Sequence, residues 1–377
     1  MSMDLIDIVG SLFRSRNMTT RSPSRRLILK GALAAAALAT LHRPSHADNA
    51  LPDVIRLAGP GAGYGKNYGL QGLGLVRAKE SLEKEFAGEN VRIEWDFPTK
   101  AGPAINEGLA AGQIDFAAYG GLPNIIGRSR GLKTKILSSY GAGHMYLVVR
   151  KGAGIETIED LRGKKIGLNR GSIGQLTLSN LLATHGLKES DVELFDITNP
   201  DQITGLTTGN LDFGWGGSNF LKLVKDGVAD LLYSSKNEIS PVSTFGSFLV
   251  TEEFAAAYPE ATQRVLRVFI EESAWGSNEE NREEVLDLWT LSGQSRTVME
   301  EEFEGVNLQT QFSPVIDELY LAQLEAGIAF SLENKFIRSP IDLDEWVDRQ
   351  PLDTVLQELN LTNFWPVRDA TGAPVKA

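Results

Sequence analysis

The chain has 377 residues, 42% of them hydrophobic and 23% charged, and a formal net charge of −12. These proportions are ordinary for globular proteins and exclude a disordered tail, a collagen or a coiled coil. The acidic balance argues against a nucleic-acid coat, and the lack of cysteine excludes a disulfide scaffold, thiolate zinc sites and a Cys nucleophile.

The first segment reads as an export signal. Ser24-Arg25-Arg26-Leu27-Ile28-Leu29-Lys30 is a charged lead, Gly31 to Leu41 a mild apolar run, and Pro44-Ser45-His46-Ala47 a small-residue cleavage site. The paired arginines before a weakly hydrophobic stretch predict the twin-arginine route, with a cut near Ala47 and delivery to the periplasm. The apolar run is shorter than the roughly 20 residues of a membrane span. Without Cys there is no lipid anchor, and Met18 is an alternative start to Met1. Residues 1–47 hold seven basic and two acidic side chains, so a chain cut there carries −17.

Strands and helices then alternate, as in parallel βαβ units. A strand over 54–58 leads through a Gly-rich loop, 59–69, to a helix ending near Phe86. A strand over 91–96, a helix over 103–111 and a short apolar strand over 113–119 follow. A second set comprises strands near 145–150, 165–169, 192–196 and 230–233, with helices over 172–185, 200–208 and 220–226. After a strand at 245–250 the pattern is helical to the end. The acidic runs there, Glu300–Glu302 among them, read as solvated helix faces.

One turn occurs twice. Leu109 to Gly121 and Leu206 to Gly217 each run from a helix end through Gly, then Asp-Phe, an aromatic and two glycines. The spacing of about 97 residues is too long for a solenoid and fits two βα lobes of like build.

Several motifs fail on inspection. The loop Gly59-Pro60-Gly61-Ala62-Gly63-Tyr64-Gly65-Lys66-Asn67 lacks the spacing of either a phosphate loop or a dinucleotide fingerprint. It remains a turn whose amides can approach a ligand, with Lys66 either binding an anion or simply solvated. Gly127-Arg128-Ser129-Arg130-Gly131 spells a nucleophile elbow but ends a helix instead of following a strand. The two histidines beyond residue 47, His144 and His185, give no metal cluster. His144 reads either as a ligand donor or as a surface-loop residue. Helix starts are more informative. Gly120-Gly121-Leu122-Pro123, Arg170-Gly171-Ser172 and Gly216-Gly217-Ser218 each follow a strand, where free N–H groups face the usual ligand edge of an open α/β sheet.

Leu82-Glu83-Lys84, Gly112-Gln113-Ile114-Asp115-Phe116, Gly186-Leu187-Lys188 and the run from Asp160-Leu161-Arg162-Gly163-Lys164-Lys165 to Asn169-Arg170-Gly171-Ser172 resemble periplasmic solute-binding proteins of the aliphatic-sulfonate, taurine and nitrate import family. The resemblance implies an α/β, two-lobe periplasmic-binding-protein-like (type II) fold. Each lobe would hold a mixed, mainly parallel sheet, with a helical C-terminal segment. It implies lobe 1 over 48–143, lobe 2 over 144–242, and a return to lobe 1 with the C-terminal helices over 243–377. It further implies a monomer that closes on a small anionic ligand and docks on an ABC permease driven by an ATPase, with no cofactor, no metal and no nucleic acid.

By the resemblance, sulfonate oxygens would meet Tyr64, Gly65 and Lys66, then Gly121, Leu122 and Pro123, and Ser172 and Ile173. His144, Trp215, Gly217 and Ser218 complete the expected ligand-binding set. Relatives often carry an acid after the tryptophan. Here Gly216-Gly217 follows Trp215, which points away from taurine and makes Trp215 either a pocket wall or a core residue. The leading expectation is an organic sulfonate or sulfate ester. Nitrate, bicarbonate, a thiamine-pyrimidine precursor, a sensory role and an enzyme on the same fold are the alternatives. The family's Cys-dependent desulfinase chemistry is excluded by composition.

Overall fold

The computed structural model describes residues 51–61, 66–141, 143–236, 238–240 and 243–375. The predicted export signal lies outside the described residues. In chain order the strands are β1 (Val54–Ala58), β2 (Arg92–Asp96), β3 (Phe116–Gly120), β4 (Thr134–Ser139), β5 (Tyr146–Arg150), β6 (Lys165–Leu168), β7 (Glu193–Asp196), β8 (Phe213–Gly216), β9 (Ala229–Ser234) and β10 (Gly246–Thr251). The principal helices are α1 (Gln71–Ala78), α2 (Ala101–Ala110), α3 (Gly121–Ser129), α4 (Ile173–Thr184), α5 (Asn199–Thr207), α6 (Asn219–Lys225), α7 (Pro259–Ser277), α8 (Arg282–Trp289), α9 (Arg296–Phe303), α10 (Glu318–Glu333) and α11 (Gln350–Glu358).

Two five-stranded sheets share one plan. The first runs β2-β1-β3-β10-β4 and the second β7-β6-β8-β5-β9. In each, three strands pair in parallel and a fourth inserts antiparallel: β10 between β3 and β4, β5 between β8 and β9. The inserted strand shifts register in both sheets, at Phe248/Leu249 and at Leu147/Val148. This is the mixed, mainly parallel α/β architecture expected. The chain changes sheet twice, between β4 and β5 and between β9 and β10.

The repeated turn explains the likeness at atomic level. Gly112 and Gly209 both take positive φ, +66° and +79°, where a Cβ would be strained. The next residue's amide closes each turn identically, Gln113 onto Gly108 O and Asn210 onto Gly205 O. Each following aspartate then accepts the amide of the neighbouring parallel strand. Asp115 takes Arg56 N at 2.9 Å and Asp212 takes Lys165 N at 3.0 Å. Each carboxylate also meets an arginine, Arg56 or Arg150. The Gly-x-x-Asp-Phe spelling thus encodes a helix stop and a strand-edge cap in both lobes.

Each lobe buries its own core. In the first, Phe116 and Phe248 lie under α7, whose Phe269 stacks on Phe248 at 4.4 Å. In the second, Leu147, Ile166, Leu178 and Phe213 pack around Trp215. A third cluster belongs to the helical segment: Val285, Trp289, Met299, Phe303 and Phe312 close over Leu75 of α1 and also over Tyr146 and Leu221 of the second lobe. Apolar residues therefore tie the C-terminal helices to both lobes. Among the described residues no helix is long and apolar enough to cross a membrane.

Candidate functional site

The parallel strands of both sheets direct their C-terminal ends to the junction between the lobes, the edge where open α/β sheets bind ligands. There the lobes touch. A Cβ on Gly120, at the end of β3, would stand 2.6 Å from the Ile173 Cβ at the start of α4. A Cβ on Gly171 would lie 3.7 Å from Ile126 Cδ1. Asn169 Nδ2 donates across the junction to Lys100 O at 2.9 Å. Leu176 of α4 is part of the first lobe's core.

The expected residues fall into three groups. Tyr64 and Gly65 lie outside the described residues, and Lys66 beside them is exposed. The second group is the facing helix starts. Gly121 does not offer a free amide, because its N–H donates to Phe245 O at 3.0 Å. Leu122 is fully buried among apolar side chains. Pro123 packs on Gly102, where a Cβ would meet its ring at 2.3 Å, and its carbonyl accepts from Asn106 Nδ2 at 2.8 Å. Ser172 stands at the N-cap position of α4, yet its hydroxyl donates backward to Asn169 O at 2.6 Å and caps no amide. Ile173 fills the space over Gly120.

Trp215 is 2% exposed. Its Nε1 donates to Gly174 O and to Thr177 Oγ1, both at 3.1 Å, which pins β8 to the first turn of α4. Its ring stacks on Tyr233 at 6.0 Å, and both rings line a cavity of about 70 Å³ with Thr177, Ser243 and Thr244. The Thr244 hydroxyl in that wall has no hydrogen-bond partner among the described residues. The residue is thus a strand-to-helix tie and a cavity wall together.

The third group surrounds a residue read differently from sequence. Glu302 of α9 is 6% exposed, not on a solvated face. Helical spacing places it one turn beyond Val298 and beside Phe303, both buried, so the wheel itself carried the signal that the acidic run obscured. Ser218 hydrogen-bonds Glu302 and accepts from Gln294 Nε2 at 3.1 Å. His144 is buried too, not a surface-loop residue, with Nδ1 at 3.8 Å from Glu302 Oε1. Burial pushes the Glu302 carboxyl up to about 7 and the His144 imidazole down to about 4, the latter aided by the Lys236 charge. His144 Nδ1, Tyr146 Oη and Glu302 Oε2 are buried and find no hydrogen-bond partner among the described residues. Gly217, before Ser218, leaves open space: among the described residues only Asn219 Oδ1 is in reach of a Cβ, at 3.9 Å.

The arrangement can hold a small polar ligand by neutral donors and aromatic walls at a junction of two bodies. In the Gly127–Gly131 segment, Ser129 Oγ donates to Ile126 O at the end of α3, as a helix-terminal serine does. Among the described residues no three His, Asp or Glu side chains are grouped to hold a metal.

Comparison with known proteins agrees with this architecture. A Bacillus subtilis (strain 168) protein named for aliphatic-sulfonate binding is 27% identical over 300 residues, covering 78% of this chain and 87% of its own length. A solved structure from Methylobacillus flagellatus, described as a periplasmic sulfonate-binding protein of an ABC transporter, superposes with a TM-score of 0.72. It is 26% identical, over 84% of this chain and 97% of its own. The alkanesulfonate-binding protein of Xanthomonas axonopodis pv. citri, solved with MOPS, shares the fold at TM-score 0.67 and 20% identity, over 80% and 99% of the two chains. The model of the NMT1/THI5-like family matches residues 86–275, about half the chain. The chain belongs to the NMT1/THI5-like family.

Proposed function

We propose that this protein is the periplasmic binding component of an ABC importer and takes an organic sulfonate or sulfate ester between its lobes. The observation that carries the reading is the end-to-end likeness to proteins described as sulfonate binders. It stands on a fold whose strand ends meet across a junction. In this reading Trp215 and Tyr233 wall the ligand, while Ile173, Gly217 and Lys66 border it. Tyr64 and Gly65 are assigned to the ligand by the family resemblance alone. Gly121, Leu122 and Pro123 set the shape of the first lobe's edge. Ser218 and His144, held around Glu302, fix the angle of the second lobe. Neutral donors suit a sulfonate, which keeps its charge and needs no counter-ion if amide and hydroxyl dipoles surround it. Lobe closure is then the signal a permease reads. The chain acts as a monomer without catalysis, and twin-arginine export with a cut near Ala47 delivers it.

Thermal melting with a ligand panel tests the reading, because a ligand that binds only the folded state raises the melting temperature. Methanesulfonate, ethanesulfonate or an alkyl sulfate should raise it, and nitrate and bicarbonate should not. A shift with nitrate alone would reassign the ligand. No shift with any would remove the proposal.

A further inference from the structure

A second cavity, about 440 Å³, is bordered by α2 and α3 of the first lobe and, beside the Gly171–Ile126 contact, by the other lobe. Its size falls within the range of organic-ligand pockets, roughly 300–1,000 Å³. Ile126 and Leu132 form an apolar floor, with Pro103 and Phe336 as walls. Arg130 stands at one side. The other lobe contributes Arg170 and Gly171.

Arg130 and Arg170 are two of the four arginines, with Arg338 and Arg349, that form no ion pair among the described residues, and these two share one cavity. Arg128, one half-turn before Arg130, is held by Glu252 and Thr134 O. Arg150, Arg264, Arg282, Arg296 and Arg368 are likewise in ion pairs. Neither Arg130 nor Arg170 makes a side-chain ion pair or hydrogen bond with any described residue. Asp196 meets Arg170 only through the backbone amide, which donates to it at 3.1 Å. One carboxylate, Glu107, lies in the lining, which leaves the groove one positive charge in excess on an acidic protein.

We infer that this groove is a second binding site, for an amphipathic organic anion whose hydrocarbon body lies on Ile126, Leu132 and Phe336 and whose head is clamped by Arg130 and Arg170. Guanidinium forks suit sulfonate or carboxylate oxygens. The site exists only while the lobes meet, since one arginine comes from each. Its occupant therefore favours the closed arrangement that Asn169 and Lys100 O already bridge. The inference goes beyond the junction site and stands whether or not that site takes sulfonates.

Calorimetric titration separates the two sites. Ethanesulfonate is too short to span floor and clamp and reports the junction. Sodium octanesulfonate reports both. The wild-type chain should bind octanesulfonate at a site that excess ethanesulfonate does not block. The double variant Arg130→Gln/Arg170→Gln should weaken that site at least tenfold, and Phe336→Ser should weaken it independently. Ethanesulfonate binding and the ligand-free melting temperature should stay unchanged, because both arginines are exposed and unpaired. Octanesulfonate binding that ethanesulfonate fully blocks, or that survives the double variant undiminished, would overturn the site. Failure of ethanesulfonate to bind, with octanesulfonate still lost in the double variant, would uphold the groove and refute the junction reading.

Discussion

Glu302 and His144 meet in a pocket with too few hydrogen-bond partners, and their titrations oppose each other. The folded value of Glu302, about 7, lies above the ordinary 4.5, so the fold keeps its proton longer than the unfolded chain does. Its stabilisation is complete below about pH 4.5 and is lost as pH rises through 7. His144, lowered to about 4 from 6.5, is the reverse: its stabilisation is complete above 6.5 and is lost as pH falls toward 4. Lys236, Glu301 and Tyr146 are the other ionisable neighbours. Glu302→Gln should therefore match wild type near pH 5 and exceed it at pH 8.5. The gain should be on the order of 1–3 kcal/mol, the usual cost of a poorly satisfied buried polar group. Urea unfolding across pH 5–8.5 measures it, and parallel curves for the two proteins would contradict it. Trp215→Phe tests the strand-to-helix tie. It keeps most of the ring but leaves Gly174 O and Thr177 Oγ1 without their indole donor, at a cost of about 1–2 kcal/mol in the same assay.

At the scale of elements, the contact between β3 and α4 sets how far the lobes close. Gly120 has φ −62° and ψ 151°, which alanine adopts without strain. Any effect of Gly120→Ala must then come from the Cβ meeting Ile173. The variant should hold the lobes apart and weaken ligand binding at least tenfold, and adding Ile173→Ala should restore it. Unchanged affinity in the single variant would show that closure does not pass through this contact. The twin caps make a second prediction. Asp115→Ala and Asp212→Ala should each cost about 1–3 kcal/mol, since each strands a strand-edge amide. Much of this scale was legible beforehand. Gly112, Asp115, Gly209 and Asp212 announced their turns because helix stop, cap and strand are local events. The helix starts were harder. Gly121 and Ser172 read as free donors, but Phe245 O takes one amide from more than a hundred residues away, and the Ser172 hydroxyl bends back to Asn169. Partners that distant leave no mark in local spacing. Glu302 was hidden for another reason: its neighbours in sequence are acids, while its neighbours on the helix are Val298 and Phe303.

Over the whole molecule, two sheets of identical strand plan face each other, and the C-terminal helices brace both. The brace runs through Tyr146 and Leu221 on one side and Leu75 on the other. It continues in Lys225, which pairs with Glu301, and Lys236, which donates to Glu301 O at 2.9 Å. A chain built this way can hold its lobes closed with few contacts at the junction itself, so a ligand need supply only a modest differential affinity to shift the balance. The α/β class and the two like lobes followed from the alternation of strands and helices and from the repeated turn, and the binding-protein fold from the family resemblance. The tie between helical segment and second lobe did not, because it joins elements separated by two passages of the chain. The claim on which all else rests is that the junction binds an organic sulfonate. Calorimetric titration of residues 48–377 with ethanesulfonate tests it most directly. Saturable binding of one equivalent, weakened by Gly120→Ala and unaffected by Arg130→Gln/Arg170→Gln, is the expected result; absence of saturable binding by ethanesulfonate would contradict it.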